Sequence, residues 1–247
     1  MQSPPNEQVR AGQIARGAIQ LAKELCREAI DGVRLDREIE TYIRDEGGEP
    51  ALKGYHPSFA LKPYEHTICL GIDEDVVHGV PIKTVGLSHL VTVDLVVRYK
   101  GWNADTARTF TYSNDPIKQQ FADISKAIFD NALQAIIPQQ TISLFGGAVY
   151  AGAKLQGYEV VREYCGHGIG KAIHTDPQVL NYPTSTKEVF QAGRSYAVEP
   201  VLAVKPYVLR HHQYDGFTVQ ADCLVTHNED TIFVGTHGVV NLTGNQS

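Results

Sequence analysis

Only four of the 247 residues are cysteines, Cys26, Cys69, Cys165 and Cys223, and no two of them form a CxxC pair. That scarcity and spacing suggest neither a zinc knuckle nor a small disulfide framework, and a reducing compartment fits best. No window approaches the ~18 consecutive apolar residues of a membrane span. The opening MQSPPNEQVR lacks the charged-then-apolar order of a secretory signal, so the expected address is cytoplasmic. Basic residues are the minority charge, 22 Lys and Arg against 28 Asp and Glu, and they are scattered. Nucleic acid is therefore not an expected main partner, because phosphate binding wants a concentrated positive face. No low-complexity linker divides the chain, and the expectation is one domain over residues 1–247. A chain of this size buries roughly 70% of the surface its unfolded form exposes, so any metal would be there for chemistry rather than to hold the core.

Apolar residues at Val9, Ile14, Ile19, Ala22, Leu25 and Ile30 recur at a rough helical period, with Gly32 as a stop. A shorter helix is expected from about Asp36 to Gly47–Gly48, carrying Ile39, Tyr42 and Ile43 on one side. Residues 67–72, 90–99 and 102–111 read as strands, with Lys100–Gly101 as the turn between the last two. Asn114, with Pro116 in the first turn, opens a long helix that Pro138 closes, and Ser143 opens another whose Ala148, Ala151 and Leu155 share a face. Strand-like runs follow at 158–163, 195–205, 216–227 and 231–235. Two helices then strands, repeated once, hint at two similar halves across one sheet, although no residue-level repeat is evident.

Asp94 lies inside the apolar run Val91-Thr-Val-Asp-Leu-Val-Val, and Asp105 lies in the following strand. A two-residue hairpin loop at Lys100–Gly101 sets Tyr99 opposite Trp102, Val96 opposite Asp105 and Asp94 opposite Ala107, which puts both carboxylates on one face. Adjacent carboxylates repel, and a divalent cation between them relieves the repulsion. The competing reading is that Arg108 or a backbone turn satisfies one and solvent the other. His167 stands between glycines in Tyr164-Cys-Gly-His-Gly-Ile-Gly, where the backbone is free to approach a ligand, and His174 follows. Glu199 is another acid in an apolar run, with Pro200 marking an irregularity, and Asp222 shares a strand face with Gln220. Acids in strands with one or two loop histidines make an oxygen-rich donor set that favours Mn, Fe, Co or Zn in an open hydrolytic site. For Cys165 the expectation is a small packing residue.

Taken together, Val77-His-Gly-Val-Pro, the Asp94 and Asp105 segments, Val160-Val-Arg-Glu-Tyr-Cys-Gly-His-Gly-Ile-Gly, His174-Thr-Asp-Pro-Gln-Val-Leu-Asn-Tyr and Ala197-Val-Glu-Pro resemble the methionine aminopeptidases, specifically the short bacterial-type (type I) form. The resemblance covers roughly residues 9 to 235. It implies an α+β pita-bread fold, a pseudo-two-fold mixed antiparallel sheet with helices on its outer face. It further implies that Asp94, Asp105, His167 and Glu199 are ligands of one or two divalent ions, and that His78 and His174 contact substrate. The family's fifth ligand is a glutamate six residues before a Val-Thr step. Counted back from Thr226, that position holds Gln220, a neutral amide, with Asp222 as a possible substitute.

The activity so implied is removal of an N-terminal methionine from peptides and nascent proteins. In it, metal-bound hydroxide attacks the first peptide carbonyl, Glu199 is general base then acid, His174 stabilises the oxyanion and His78 holds the backbone beyond the scissile bond. Tyr55, His56, Phe59, Tyr64, Cys69 and Ile173 are candidates for the methionine pocket. A monomeric state and contact with the ribosome follow from the resemblance alone. Two other readings remain. One is a proline-specific peptidase of the same fold, disfavoured because no extra N-terminal domain is expected in the stretch before the first core strand. The other is a metal-impaired protein that binds peptide, protein or RNA, for which Gln220 is the supporting feature.

Overall fold

The computed structural model describes residues 3–56, 60–212 and 215–244. Its centre is a nine-stranded sheet. The order across it is Thr175–Val179, Gly166–Ile169, Arg194–Val198, Glu229–Val234, Trp102–Thr111, Leu90–Tyr99 and Glu49–Pro50, with Cys69–Ile72 also paired to Leu90–Tyr99 and Val239–Asn241 to Glu229–Val234. Every strand pairing among the described residues is antiparallel. Helices α1 (Asn6–Leu25) and α2 (Gly32–Asp45) cover one half, and α3 (Pro116–Leu133) and α4 (Ser143–Leu155) the other. The two halves meet where Glu229 and Asp230 pair with Ala107 and Thr106. This is the paired-half α+β architecture expected from the element order.

The central hairpin follows the expected register, with Tyr99 opposite Trp102, Val96 opposite Asp105 and Asp94 opposite Ala107. Strand side chains alternate between faces. Val91, Val93, Leu95 and Val97 accordingly pack with Ile14, Ala18, Leu35 and Ile39 under the first helix pair. Asp94 and Val96 are turned the other way, into a cavity. Burying one such aliphatic side chain stabilises by about 1.5–3 kcal/mol, so the dry face fixes which residues the wet face presents. Asp36 of α2 accepts hydrogen bonds from Thr67 N (2.8 Å) and Ile68 N (2.9 Å) and so anchors the strand that carries Cys69.

Several boundaries differ from expectation. α1 ends at Leu25, and Gly32 begins α2 rather than stopping α1, because Asp31 caps that helix by accepting from Arg34 N. Asp115, not Asn114, caps α3. On α4 the buried face is Phe145, Val149 and Ala153, while Leu155 is 83% exposed; its i, i+4, i+8 stripe outcompetes the smaller alanine stripe for the core. The run 195–205 breaks at Glu199–Pro200 into Arg194–Val198 of the large sheet and Val201–Ala203 of a three-stranded sheet. The run 216–227 breaks likewise into Val219–Gln220 and Val225–His227, and the last core strand starts at Glu229.

The glycines around His167 serve strand packing. A Cβ on Gly166 would lie 2.3 Å from the Ala197 carbonyl oxygen, and one on Gly168 would lie 2.5 Å from that of Asp176. Both are needed for close approach of the flanking strands. Gly166→Ala is expected to cost about 1–3 kcal/mol of overpacking and to lower the melting temperature by several degrees. An unchanged melt of the metal-free protein would show that the strand has slack.

Candidate active site

Sheet register alone assembles the polar cluster. Cys69 pairs with Asp94, Asp94 with Ala107, and Ala107 with Glu229. The register of Val198 with Asp230 continues into that of Val201 with His227, which sets Glu199 across from Glu229. In the adjoining row, Val96 pairs with Asp105, Thr231 with Ala197, and Ala197 with His167. Thr231 Oγ1 joins that row by accepting from Asp105 N (2.8 Å) and donating to Asp105 O (2.9 Å). Residues directly opposite share a face, and so do residues two apart. Asp94, Asp105, His167, Glu199 and Glu229 therefore converge, with the small Ala107 and Ala197 leaving room between them.

Donor atoms of Asp105, His167 and Glu229 lie within 4.8 Å of one another. His167 Nε2 stands 3.4 Å from Glu199 Oε1 and 3.9 Å from Asp105 Oδ2. His167 Nδ1 lies 3.0 Å from Gly168 O; a carbonyl only accepts, so Nδ1 carries the proton and Nε2 presents a lone pair to the cluster. Burial, and then neighbouring carboxylates, raise Asp105 and Glu229 well above the usual carboxylate range. Burial pushes Asp94 up to about 6. Among the described residues no Lys or Arg pairs with any of the four carboxylates. Arg108 turns away instead, donating to the backbone oxygens of Ala107 and Glu229 and pairing with Asp230, so the reading in which it satisfies Asp94 or Asp105 does not hold. Asp105 Oδ1 and Glu229 Oε1 are buried without a hydrogen-bond partner. Orphaned carboxylate oxygens beside an imidazole lone pair fit a divalent cation, which supplies the missing positive charge.

The cluster floors a cavity of about 320 Å³. Its walls include His78 and His174 at the polar end and Leu52, Tyr64, Cys69 and Phe217 at the apolar end. His78 has φ 57, a left-handed conformation that side chains rarely adopt, and its ring meets Tyr164 edge-on at 6.1 Å. Burial lowers the His78 pKa to about 4. His174, although an exposed residue, is lowered to about 4 as well, by desolvation and then by His167. Tyr55 Oη lies 3.0 Å from His174 Nδ1.

Gln220 and Asp222 do not belong to the cluster. Gln220 pairs with Asp75 in a separate three-stranded sheet, where its Nε2 donates to Asp75 Oδ1 (2.7 Å). Asp222 is exposed and accepts from Val208 N. The count from Thr226 fails because Val225-Thr226 precedes the last core strand, and that strand ends in Val234-Gly235 with no Val-Thr step. Glu229 stands in the cluster instead, restoring a fourth carboxylate. It was legible as one more acid opening an apolar run, Glu229-Asp-Thr-Ile-Phe-Val. His227 was also missed; it is buried two residues away and lines the cavity.

Of the pocket candidates, Tyr55, Tyr64 and Cys69 line the cavity. His56 lies 3.0 Å from Ala60 O through Nε2, and Ile173 packs with Ala51 and Val96. Phe59 lies outside the described residues. Phe217, unforeseen, stacks edge-on against Tyr64 at 5.1 Å. Cys165 sits at the wall with its thiol pushed up to about 11 by burial, so it stays protonated and unreactive near neutral pH.

Known proteins are similar to this one over nearly the whole chain. The sequence is 30% identical over 240 residues to "Methionine aminopeptidase" of Escherichia coli K12, covering 94% of this chain and 88% of that one. The crystal structure of methionine aminopeptidase from Thermotoga maritima superimposes with a TM-score of 0.87 at 25% identity, covering 99% of both chains. Prolidase from Pyrococcus furiosus shares the fold, with a TM-score of 0.74 at 21% identity, but this chain spans only 64% of that one. The model of metallopeptidase family M24 matches residues 7–234. A sheet that gathers carboxylates and an imidazole with no lysine or arginine among them, and a family match of this extent, lead to one conclusion: the chain belongs to metallopeptidase family M24.

Proposed function

We propose that this protein is a metal-dependent aminopeptidase that removes the N-terminal methionine from peptides and nascent chains. The observation that carries the reading is the floor of four carboxylates and His167 at the end of an apolar cavity. Asp94, Asp105, His167, Glu199 and Glu229 would hold one or two ions, for which Mn, Fe, Co and Zn all suit the oxygen-rich, nitrogen-poor donor set. A bound divalent cation there supplies Lewis acidity, polarising the substrate carbonyl and making water acidic near neutral pH.

The chain's own residues supply the rest. Glu199 takes the proton from the attacking water and delivers it to the leaving amine. His174 stays neutral at working pH, and a Tyr55 O–H donated to Nδ1 leaves Nε2–H to donate to the carbonyl oxygen as charge develops. His78 reaches the substrate backbone beyond the scissile bond. Leu52, Tyr64, Cys69 and Phe217 surround the methionine side chain, whose flexible thioether packs well against aromatic edges. The metal-impaired alternative rested on Gln220 and loses its ground with Glu229 in the cluster. Among the described residues no helix is long and apolar enough to cross a membrane. Cytoplasmic location, a monomeric state and ribosome contact belong to the proposal and follow from the family resemblance.

Incubation of Met-Ala-Ser beside an Xaa-Pro peptide, with each of the four metals, is expected to release methionine alone; cleavage of the Xaa-Pro peptide alone would overturn the reading. His174→Ala should lower kcat about 10²–10³-fold with metal stoichiometry unchanged, and Tyr55→Phe about tenfold, by steady-state kinetics and calorimetric metal titration. Loss of metal in His174→Ala would make it a ligand instead.

Metal removal has a signed pH dependence. Asp94, raised to about 6 in the metal-free fold, binds its proton more tightly folded than unfolded. Its contribution to stability is full below its unfolded pKa of about 3.9 and is lost as pH rises through about 6. The gap in melting temperature between metal-loaded and chelator-treated protein should therefore widen from about pH 5 to about pH 8, and a constant gap would contradict the assignment.

A further inference from the structure

His227 is the one histidine on the cavity floor that the proposed chemistry leaves without a task. It lies in Val225–His227, in the row next to Glu229, and is 3% exposed. Thr109 clamps its backbone from the neighbouring strand: Oγ1 accepts from His227 N (2.8 Å) and donates to His227 O (3.0 Å). Thr92 Oγ1, 2.7 Å from Thr109 Oγ1, donates to it and completes the chain. The ring therefore leaves a backbone held on both sides, and its Nε2 stands 3.5 Å from Glu199 Oε2 and 3.9 Å from Glu229 Oε2. Nε2 is buried and has no hydrogen-bond partner at these distances.

An N–H on Nε2 would be attracted by the Glu199 carboxylate, and a shortening of about 0.5 Å toward Oε2 makes an ordinary charge-assisted hydrogen bond. Glu199 needs such a tether. It occupies the two-residue gap between Arg194–Val198 and Val201–Ala203, beside Pro200, where no ladder pairing holds it. Its Oε1 faces His167, whose Nε2 carries a lone pair, and its Oε2 faces His227. We propose that His227 is a positioning residue whose Nε2–H donates to Glu199 Oε2 and turns Oε1 toward His167. The two imidazoles then hold opposite tautomers, one presenting a lone pair to the metal side and one presenting a proton to the carboxylate.

This inference rests on the role assigned to Glu199, and its test separates the two. Protein labelled with 15N-histidine and loaded with Zn²⁺ should show a His227 ring, identified by its absence from His227→Gln, with a solvent-shielded proton on Nε2. An unprotonated Nε2, or one shifted by bound Zn²⁺, overturns the proposal, the second by making His227 a ligand. In methionine release, His227→Leu should lower kcat about tenfold or more with KM changed less than about twofold. His227→Gln, whose amide N–H can reach the same oxygen, should recover most of that loss. Unchanged kcat in His227→Leu, or equal loss in both variants, also overturns it. If His227→Leu does not fold, the tautomer in the wild type and the kinetics of His227→Gln still decide. Absence of methionine release from the wild type would count against the proposed function alone, since the Nε2 proton is read without turnover.

Discussion

Four carboxylates converge with no lysine or arginine beside them among the described residues, and that concentration of buried like charge is the constraint to which the rest of the structure answers. Each buried charge costs several kcal/mol unless paired, and in the metal-free site burial accordingly raises Asp94, Asp105 and Glu229 above the usual carboxylate range. The cations that could have neutralised the cluster are placed elsewhere. Arg108 is spent on Asp230 and on main-chain oxygens beneath Glu229, and Lys83 on Asp75. What remains is a well of oxygens and one imidazole lone pair that a divalent cation satisfies better than any side chain nearby.

The architecture makes that concentration tolerable. The acids are carried by long ladders whose other face buries a dry core under helices, so the cluster cannot relax by letting its strands drift apart. Small residues, Ala107 and Ala197, separate the rows, and the glycines around His167 let three strands approach more closely than side chains would permit. Where the chain pair crosses from the large sheet to the small one, Glu199 and Glu229 face each other at a point that regular pairing has released. The same break that, on the proposed mechanism, frees Glu199 to move a proton also leaves its side chain without a ladder to hold it, and His227 stands beside it.

The specificity end of the cavity obeys a different physics. Leu52, Tyr64, Cys69 and Phe217 offer contact area without charge, and the Tyr64 hydroxyl is taken up by the Ile68 and Gly79 carbonyls at 2.8 and 3.0 Å. On the proposed function, a substrate amine would meet the carboxylates and its side chain the hydrocarbon. The polar rim of His78, His174 and Tyr55 lies between the two.

Local chemistry was enough to read the central hairpin: a two-residue turn at Lys100–Gly101 and strict alternation put Asp94 and Asp105 on one face, and the ladder has that register. Acids inside apolar runs, and a histidine between glycines, marked four of the five cluster residues. Glu229 and His227 were not legible in the same way. Their placement depends on where the chain leaves one sheet and rejoins another, which is a contest between two long-range pairings of similar local propensity. Gln220 looked equivalent because strand-like residues surround it, yet its partner is Asp75, far away in sequence. The face buried by α4 was a contest of the same kind, won by the larger Phe145 and Val149. Short-range pattern thus dictates which residues are strand-borne and which way they point. Which strands become neighbours, and hence which carboxylates are brought together, is settled by non-local burial and pairing, whose energies appear only once the chain has closed on itself.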